Sequence, residues 1–116
     1  MAGKYSIYHN PRCSKSRQVL QTLRDAGIEP EVIEYLKSPP TVTQLKALLR
    51  ALAIPAHGLL RTKESAYKEA SLSKGSSERD VLNAIATNPI LLERPIVVAG
   101  KRAVIARPAE RVNEVI

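Results

Sequence analysis

The sequence predicts an α/β fold in which a strand, a helix and a strand come first, helices follow, and a β-hairpin and a last helix complete the chain. Two observations predict this class. Apolar residues in the first 35 positions change from strand spacing to helical spacing and back. Residues 95–106 then form two apolar runs around Gly100-Lys101, a pattern typical of a hairpin. At 116 residues the chain has the length of one domain, which we assign to residues 1–116.

The first segment predicts a β-α-β unit. Residues 5–8 alternate in polarity and predict a strand, and residues 31–35 predict a second one. Ser14 and Ser16 are candidate N-caps for the helix between them, and Gly27 is a natural C-cap. The apolar face of this helix consists of Val19, Leu20, Leu23 and Ala26. Two strands joined by one helix favour a parallel pair with a right-handed crossover.

Residues 41–89 predict a helical insertion between the second and third strands. Thr41 and Gln44 have the spacing of a capping box. The amphipathic helix after them has the apolar residues Leu45, Leu48, Leu49 and Leu52. Residues 54–76 are less regular and predict a short helix and a loop. Another helix is expected to begin at Ser77 and to stop at Asn88-Pro89.

The last segment predicts two strands at residues 95–99 and 102–106, followed by a helix. Pro108 occupies the position of a first helical residue. The apolar face of this closing helix consists of Val112, Val115 and Ile116. The whole order of elements matches a thioredoxin-type sheet that carries a helical insertion.

Composition excludes several classes of protein. The net charge is +7, but the 18 basic residues are scattered among 11 acidic ones, and the aromatic residues are four Tyr without Phe or Trp. Nucleic-acid binders cluster basic residues with stacking aromatics, so we do not expect a nucleic-acid partner. The uncharged stretches are too short to span a membrane. A single cysteine permits no internal disulfide, which favours a reducing, cytoplasmic location.

Cys13 lies between a strand end and a helix start, among charged and small polar residues rather than apolar ones. The free N–H groups of a helix's first turn stabilise a thiolate. Arg12, Lys15 and Arg17 act in the same direction. The alternative is an inert buried cysteine, which is common in protein cores. The neighbouring residues are not those of a core, so we interpret Cys13 as a reactive thiolate.

The sequence excludes a dithiol cycle and a phosphatase loop and does not favour a metal site. Ser16 stands where a thioredoxin has its second cysteine, and Val19 stands where the phosphate loop of a tyrosine phosphatase needs arginine. Any redox cycle must therefore borrow a second thiol from outside. His9 could be only structural. Because His9, His57 and one cysteine do not make a convincing ligand set, we predict no metal site.

The segment His9-Asn10-Pro11-Arg12-Cys13-Ser14-Lys15-Ser16-Arg17 resembles the active-site motif of the glutaredoxin-coupled arsenate reductases. The resemblance runs in order along nearly the whole chain, through residues 34–36, 39–40, 59–61, 88–90, 94–98 and 106–108. It implies the thioredoxin fold, and Arg94-Pro95 resembles the point where such folds have a cis proline. The chain departs from better-known members at Ser14 and Lys15, where they carry glycine and threonine.

The resemblance also implies roles for individual residues. Cys13 would be the nucleophile. The three oxyanion-binding arginines would be Arg61, Arg94 and Arg107. The residues that hydrogen-bond or tune the thiolate would be His9 and Ser16, with Arg17 adding positive charge. The implied activity is arsenate reduction without a bound cofactor, with glutathione as co-substrate and glutaredoxin as partner.

Two alternatives in the same fold remain open. One is a regulator that binds RNA polymerase, but such proteins typically carry a CxxC switch, which Ser16 rules out here. The other is a monothiol enzyme acting on a different glutathione-linked substrate. The arginine set implied by the resemblance favours arsenate over that second alternative.

Overall fold

The structure, a computed structural model, describes residues 4–116 and divides into two compact units. The first unit contains the residues up to Ser38 together with Arg94–Ile116, and the second contains Pro39–Glu93. Since the division does not test how many domains the chain has, the assignment of residues 1–116 to one domain stays a prediction.

A four-stranded sheet in the order β2-β1-β3-β4 forms the centre of the first unit. The strands are β1 (Tyr5–His9), β2 (Glu31–Glu34), β3 (Ile96–Ala99) and β4 (Arg102–Ile105). β1 pairs with β2 in parallel and with β3 antiparallel, and β3 pairs antiparallel with β4. Gly100, with a φ of 63°, makes the turn between β3 and β4, where a side chain would be strained. The β-α-β start and the hairpin are therefore confirmed.

Helix α1 (Ser14–Asp25) and a 3-10 helix (Ala109–Glu114) complete the first unit and pack on each other. The core that they share with the sheet consists of Ile7, Val19, Leu23, Val97, Val104, Ala106, Ala109, Val112 and Val115. All of these are aliphatic, so close packing of aliphatic side chains holds the sheet in place. The Tyr5 hydroxyl donates to the carbonyl of Val115 over 2.7 Å and so links β1 to the C-terminal segment.

The second unit is helical. It contains α2 (Val42–Leu52), α3 (Ser65–Glu69), α4 (Glu78–Thr87) and two 3-10 helices, Ala56–Leu59 and Pro89–Leu91. α2 begins with the predicted capping box, in which Thr41 and Gln44 bond each other's backbone N–H. α4 begins with Ser77, whose hydroxyl accepts the N–H of Asp80. α4 packs against α2 and against both 3-10 helices.

Some sequence expectations were wrong. Neither Ser14 nor Ser16 caps α1, because the N-cap is Cys13 and its side chain makes no cap hydrogen bond. The C-cap is Ala26 rather than Gly27, which follows it with a φ of 81°, as a glycine after a helix commonly does. Ala26 itself is exposed, outside the helix face.

The closing helix is a 3-10 helix rather than an α-helix, and Pro108 is its N-cap rather than its first residue. Val112 and Val115 are buried as expected, but Ile116 is 49% exposed. Residues 54–76 contain two short helical elements instead of one. β2 ends at Glu34, one residue before Tyr35, which is buried beyond the strand.

Candidate functional site

The candidate site is built around the loop that joins β1 to α1. Asn10 organises this loop with both of its oxygens: its carbonyl accepts the N–H of Cys13, and its side-chain Oδ1 accepts the N–H of Arg12, each over 3.0 Å. Asparagine commonly forms such a turn, because its side chain can accept the backbone N–H two residues later. The turn places Cys13 at the N-cap of α1, where its backbone is extended. The Cys13 side chain is partly exposed.

Opposing effects set the pKa of the Cys13 thiol. Partial burial raises it. The backbone N–H of Ser16, the charge of Arg94, the backbone N–H of Lys15 and the charge of Arg107 lower it, and together they hold the pKa below the ordinary thiol value. A helix N-terminus and two guanidinium groups thus favour the thiolate, which is the nucleophilic form.

Strand pairing explains why Arg94 and Arg107 act on a cysteine more than 80 positions away in the sequence. Ile96, at the start of β3, pairs with Tyr8 on β1 and with Ile105 at the end of β4. The residues just outside these three positions therefore lie along one edge of the sheet. Arg94 comes before β3, and Arg107 comes after β4.

The two arginines are also held to each other. A guanidinium N–H of Arg107 donates to the carbonyl of Arg94 over 3.2 Å. The Nε of Arg94 is buried and has no hydrogen-bond partner among residues 4–116. A buried donor without a partner is costly, so this nitrogen would gain from an anionic ligand. The peptide bonds Arg94–Pro95 and Arg107–Pro108 are both cis.

His9 and Ser16 form a buried pair beside the loop. The Ser16 side chain is fully buried, accepts the backbone N–H of Asn10 over 3.1 Å, and lies 2.6 Å from the Nδ1 of His9. Burial lowers the pKa of His9. The charge of Glu34 raises it, and the charges of Arg24 and Arg17 lower it, with a net lowering. A lowered pKa leaves the imidazole neutral near pH 7, with one ring nitrogen as donor and the other as acceptor.

The remaining candidates, Arg17 and Arg61, lie in different units. Arg17 is exposed, and its guanidinium donates to the carbonyl of Pro11 over 2.9 Å, which ties α1 back to the loop. Arg61 lies in the second unit, where Glu64 pairs with it at 3.3 Å and Glu93 at 4.0 Å. The structure therefore places Arg94 and Arg107 close enough to Cys13 for their charges to lower its pKa. Arg61 is described only within the second unit.

Sequence reasoning missed two residues of this site, Asn10 and Glu34. For Asn10 a signal existed, because Asn-Pro after a strand predicts a turn that the asparagine side chain closes. For Glu34 the sequence offers no local signal. It is positioned by its pairing with His9 across two parallel strands.

Within the described part of the chain, no three His, Cys, Asp or Glu side chains come close enough together to hold a metal ion. None of the helices in residues 4–116 combines the length and the apolar character that crossing a membrane requires.

Comparisons with known proteins agree on one family. A protein named "Uncharacterized protein YfgD" from Escherichia coli K12 is 48% identical over 118 residues, covering 100% of this chain and 99% of that protein. An "Arsenate reductase" of Neisseria meningitidis serogroup A is 45% identical over 112 residues, covering 95% and 96%. The solved structure "Arsenate reductase from Vibrio cholerae" superposes with a TM-score of 0.94 at 42% identity, covering 100% of both chains. This likeness confirms the thioredoxin-like α/β fold.

The sequence model of the ArsC family matches residues 8–115. That span includes the Cys13 loop, Arg94, Arg107 and the whole of Pro39–Glu93. A match over nearly the whole chain, together with relatives of similar length, establishes that this protein belongs to the ArsC family.

Proposed function

We propose that this protein is an arsenate reductase whose Cys13 thiolate attacks the arsenic of an arsenate ion. The observation that carries the proposal is the position of Cys13 at the N-terminus of α1, where the charges of Arg94 and Arg107 favour its thiolate. A nucleophile and two fixed cations at one edge of the sheet suit a small tetrahedral oxyanion. Guanidinium groups donate paired hydrogen bonds to such anions.

The first step forms a bond between the Cys13 sulfur and arsenic and breaks one As–O bond. The departing oxygen takes protons from solvent and leaves as water, and arsenic stays pentavalent. Arg94 and Arg107 stabilise the negative charge on the remaining oxygens throughout, because their positive charges are already in place. Arg61 is the third arginine that the family resemblance implies, and it belongs to this proposal on that ground.

The later steps need outside thiols. Glutathione replaces a second oxygen on arsenic, again without changing its oxidation state. A glutaredoxin thiolate then attacks the glutathionyl sulfur, and the S–As electron pair passes to arsenic, which becomes trivalent. Hydrolysis of the Cys13–arsenic bond releases arsenite and restores the thiol. The two electrons thus come from glutathione and glutaredoxin, in the reducing environment of the cytoplasm.

His9 and Ser16 are proposed to support the thiolate. Asn10 N–H already donates to the Ser16 oxygen. If His9 Nδ1–H donates to the same oxygen, the hydroxyl proton of Ser16 is free to point elsewhere, including toward the sulfur. The short His9–Ser16 distance and the neutral state of His9 support this arrangement.

A coupled assay tests the proposal. NADPH consumption is followed with arsenate, glutathione, glutaredoxin and glutathione reductase, for the wild type and for Cys13→Ser. We expect turnover only with the wild type, while circular dichroism shows the same fold for both. Arsenate reduction by Cys13→Ser, or none by the wild type, would contradict the proposal.

A further inference from the structure

A groove of about 230 Å³ opens beside the Cys13 loop. One wall is the loop after β1, residues 9–12, and the other is formed by Glu34, Leu36 and Lys37 at and after the end of β2. β1 and β2 are parallel, so the segments that follow them leave the sheet at the same edge. The crevice outside the carboxyl ends of parallel strands is a common place for ligands in α/β proteins.

The charges of this groove suit a zwitterion. Glu34 Oε1 and Lys37 Nζ are 3.6 Å apart, and their side chains are 41% and 81% exposed. A pair so exposed contributes little stability, so either charge can exchange its partner for a ligand at small cost. Arg12 adds an exposed cation on the opposite wall, and Leu36, 42% exposed, adds an apolar surface. An ammonium group fits Glu34, and carboxylates fit Lys37 and Arg12.

The groove is continuous with the nucleophile. Asn10 lines the groove and accepts the backbone N–H of Cys13, and Arg12 is the residue before Cys13. In the sheet, β1 lies between β2 and β3. The groove therefore flanks Cys13 on the β2 side, whereas Arg94 and Arg107 flank it on the β3 and β4 side. An oxyanion and a second thiol would thus approach Cys13 from different directions.

We propose that this groove binds the γ-glutamyl end of a tripeptide thiol of the glutathione class, with its ammonium at Glu34 and its carboxylate at Lys37 or Arg12. The inference rests on the proposed function, since it names the site of the second thiol. The groove is smaller than the roughly 300–1,000 Å³ of pockets that enclose a drug-sized ligand, so it holds one end of the tripeptide. Three extended residues span about 10 Å, which lets the thiol reach the neighbouring Cys13.

The step at this site is a ligand exchange on arsenic already bound to Cys13. The tripeptide thiolate forms an S–As bond, one As–O bond breaks, and the oxygen leaves as water with protons from solvent. No electron is transferred at this stage. The charges of the groove contribute to binding and orientation only.

Binding is measured without chemistry by titrating ¹⁵N-labelled protein with S-methylglutathione, whose sulfur is blocked. We expect amide shifts concentrated in residues 9–12 and 34–37, and a Kd raised at least about fivefold in Lys37→Glu. Lys46→Glu, an exposed lysine in α2, is the matched control and should leave the Kd unchanged. Shifts confined to other regions, or equal affinities in Lys37→Glu and the wild type, would overturn the proposal.

Kinetics separate this inference from the proposed function. Lys37→Glu should raise the KM for glutathione severalfold while leaving the KM for arsenate and the pH profile of Cys13 alkylation unchanged. If Lys37→Glu reduces arsenate with an unaltered KM for glutathione, the groove proposal is overturned and the proposed function is not. Groove binding of S-methylglutathione without any arsenate reduction would support the groove and contradict the proposed function.

Discussion

At Cys13, burial and charge act in opposite directions on one thiol. Partial burial raises its pKa, whereas two backbone N–H groups and two arginines lower it further than burial raises it. Because these contributions oppose each other, the thiolate fraction at neutral pH depends on each of the lowering groups. The arginines are the ones that mutation can remove without changing the backbone.

Replacing Arg94 or Arg107 by alanine should raise the pKa of Cys13, because an opposite charge that favours the thiolate is lost. The catalytic efficiency toward arsenate should fall at least about tenfold, the loss expected for a hydrogen bond to a charged group. Lysine in either place should restore the thiol pKa but only part of the efficiency, since it lacks the bidentate fork.

The measurement is the rate of iodoacetamide alkylation against pH, paired with steady-state kinetics. Arg102→Ala is the control, because Arg102 lies on β4 and donates to the Glu114 carbonyl rather than acting on Cys13. An alkylation midpoint unmoved in both the Arg94 and Arg107 variants would refute the electrostatic account.

Ser16→Ala should lower the free energy of unfolding by about 1–3 kcal/mol, because the Asn10 N–H and the His9 ring nitrogen lose a buried partner. Ser14→Ala is the matched control: Ser14 is exposed and does not cap the helix, so its change should stay within about 0.5 kcal/mol. Urea denaturation of both variants gives the comparison. Equal effects would mean that the buried Ser16 contacts contribute nothing beyond those of a surface serine.

The N-terminus of α1 lacks the usual side-chain cap. Its first turn contains no acidic residue, and its N-cap side chain makes no cap hydrogen bond. The N–H groups of Lys15 and Ser16 instead favour the thiolate of Cys13. The charge on sulfur therefore serves the helix as well as the chemistry, since negative charge stabilises a helix N-terminus.

This link predicts a pH dependence of stability. The folded pKa of Cys13 lies below its ordinary value of 9.0, so the thiolate stabilises the fold. That contribution is complete above the ordinary pKa and is lost as the pH falls through the folded pKa. The free energy of unfolding of the wild type minus that of Cys13→Ser should therefore increase with pH across this interval and then level off.

Urea denaturation from pH 5 to pH 10 measures this difference, and the titration of His9 and of surface groups, being common to both proteins, largely cancels. A difference that is constant over the whole range would show that the thiolate does not stabilise α1. Dichroism at each pH checks that both proteins start from the same fold.

Elements with a local code were predictable from sequence. The capping box at Thr41, the serine cap at Ser77 and the glycine turn at Gly100 depend on residues within four positions of each other, and all three are present. A predicted cap was wrong where the side chain makes a different hydrogen bond. Ser16 looked like a cap, but its hydroxyl is used inside the loop by Asn10 and His9.

The site was predictable only in part for the same reason. The position of Cys13 at a helix start follows from its neighbours. The approach of Arg94 and Arg107 depends on antiparallel pairing between strands far apart in the sequence, which local patterns do not encode. Arg61 was placed by family resemblance alone, and its role stays a prediction.

At the scale of the whole molecule, one thiol in 116 residues limits the redox chemistry. A single cysteine can hold arsenic, but it cannot form a disulfide within its own chain. Reduction of arsenic from the pentavalent to the trivalent state takes two electrons, which two thiols supply when they join as a disulfide. The protein therefore needs at least two thiols from elsewhere for each turnover that regenerates Cys13.

Arsenite release should be negligible without glutathione and glutaredoxin, and thioredoxin should substitute poorly, because the expected intermediate carries a glutathionyl group. Intact-mass spectrometry after incubation with arsenate and glutathione should find one adduct, and peptide mapping should assign it to Cys13. Full turnover with thioredoxin alone would contradict the glutathionylated intermediate, because both electrons would then come from the two thiols of thioredoxin.

The first unit is assembled from two segments that are distant in the chain, and this has a consequence for how the protein is made on the ribosome. β1, α1 and Cys13 are synthesised early, but β3, β4 and both neighbouring arginines follow only after Glu93. Chains grow from the N-terminus, so during this interval the thiol lacks the charges of Arg94 and Arg107, whereas Lys15 and Ser16 are synthesised together with it. The contribution of the two arginines to the reactivity of Cys13 toward electrophiles therefore begins only when β3 and β4 have joined the sheet.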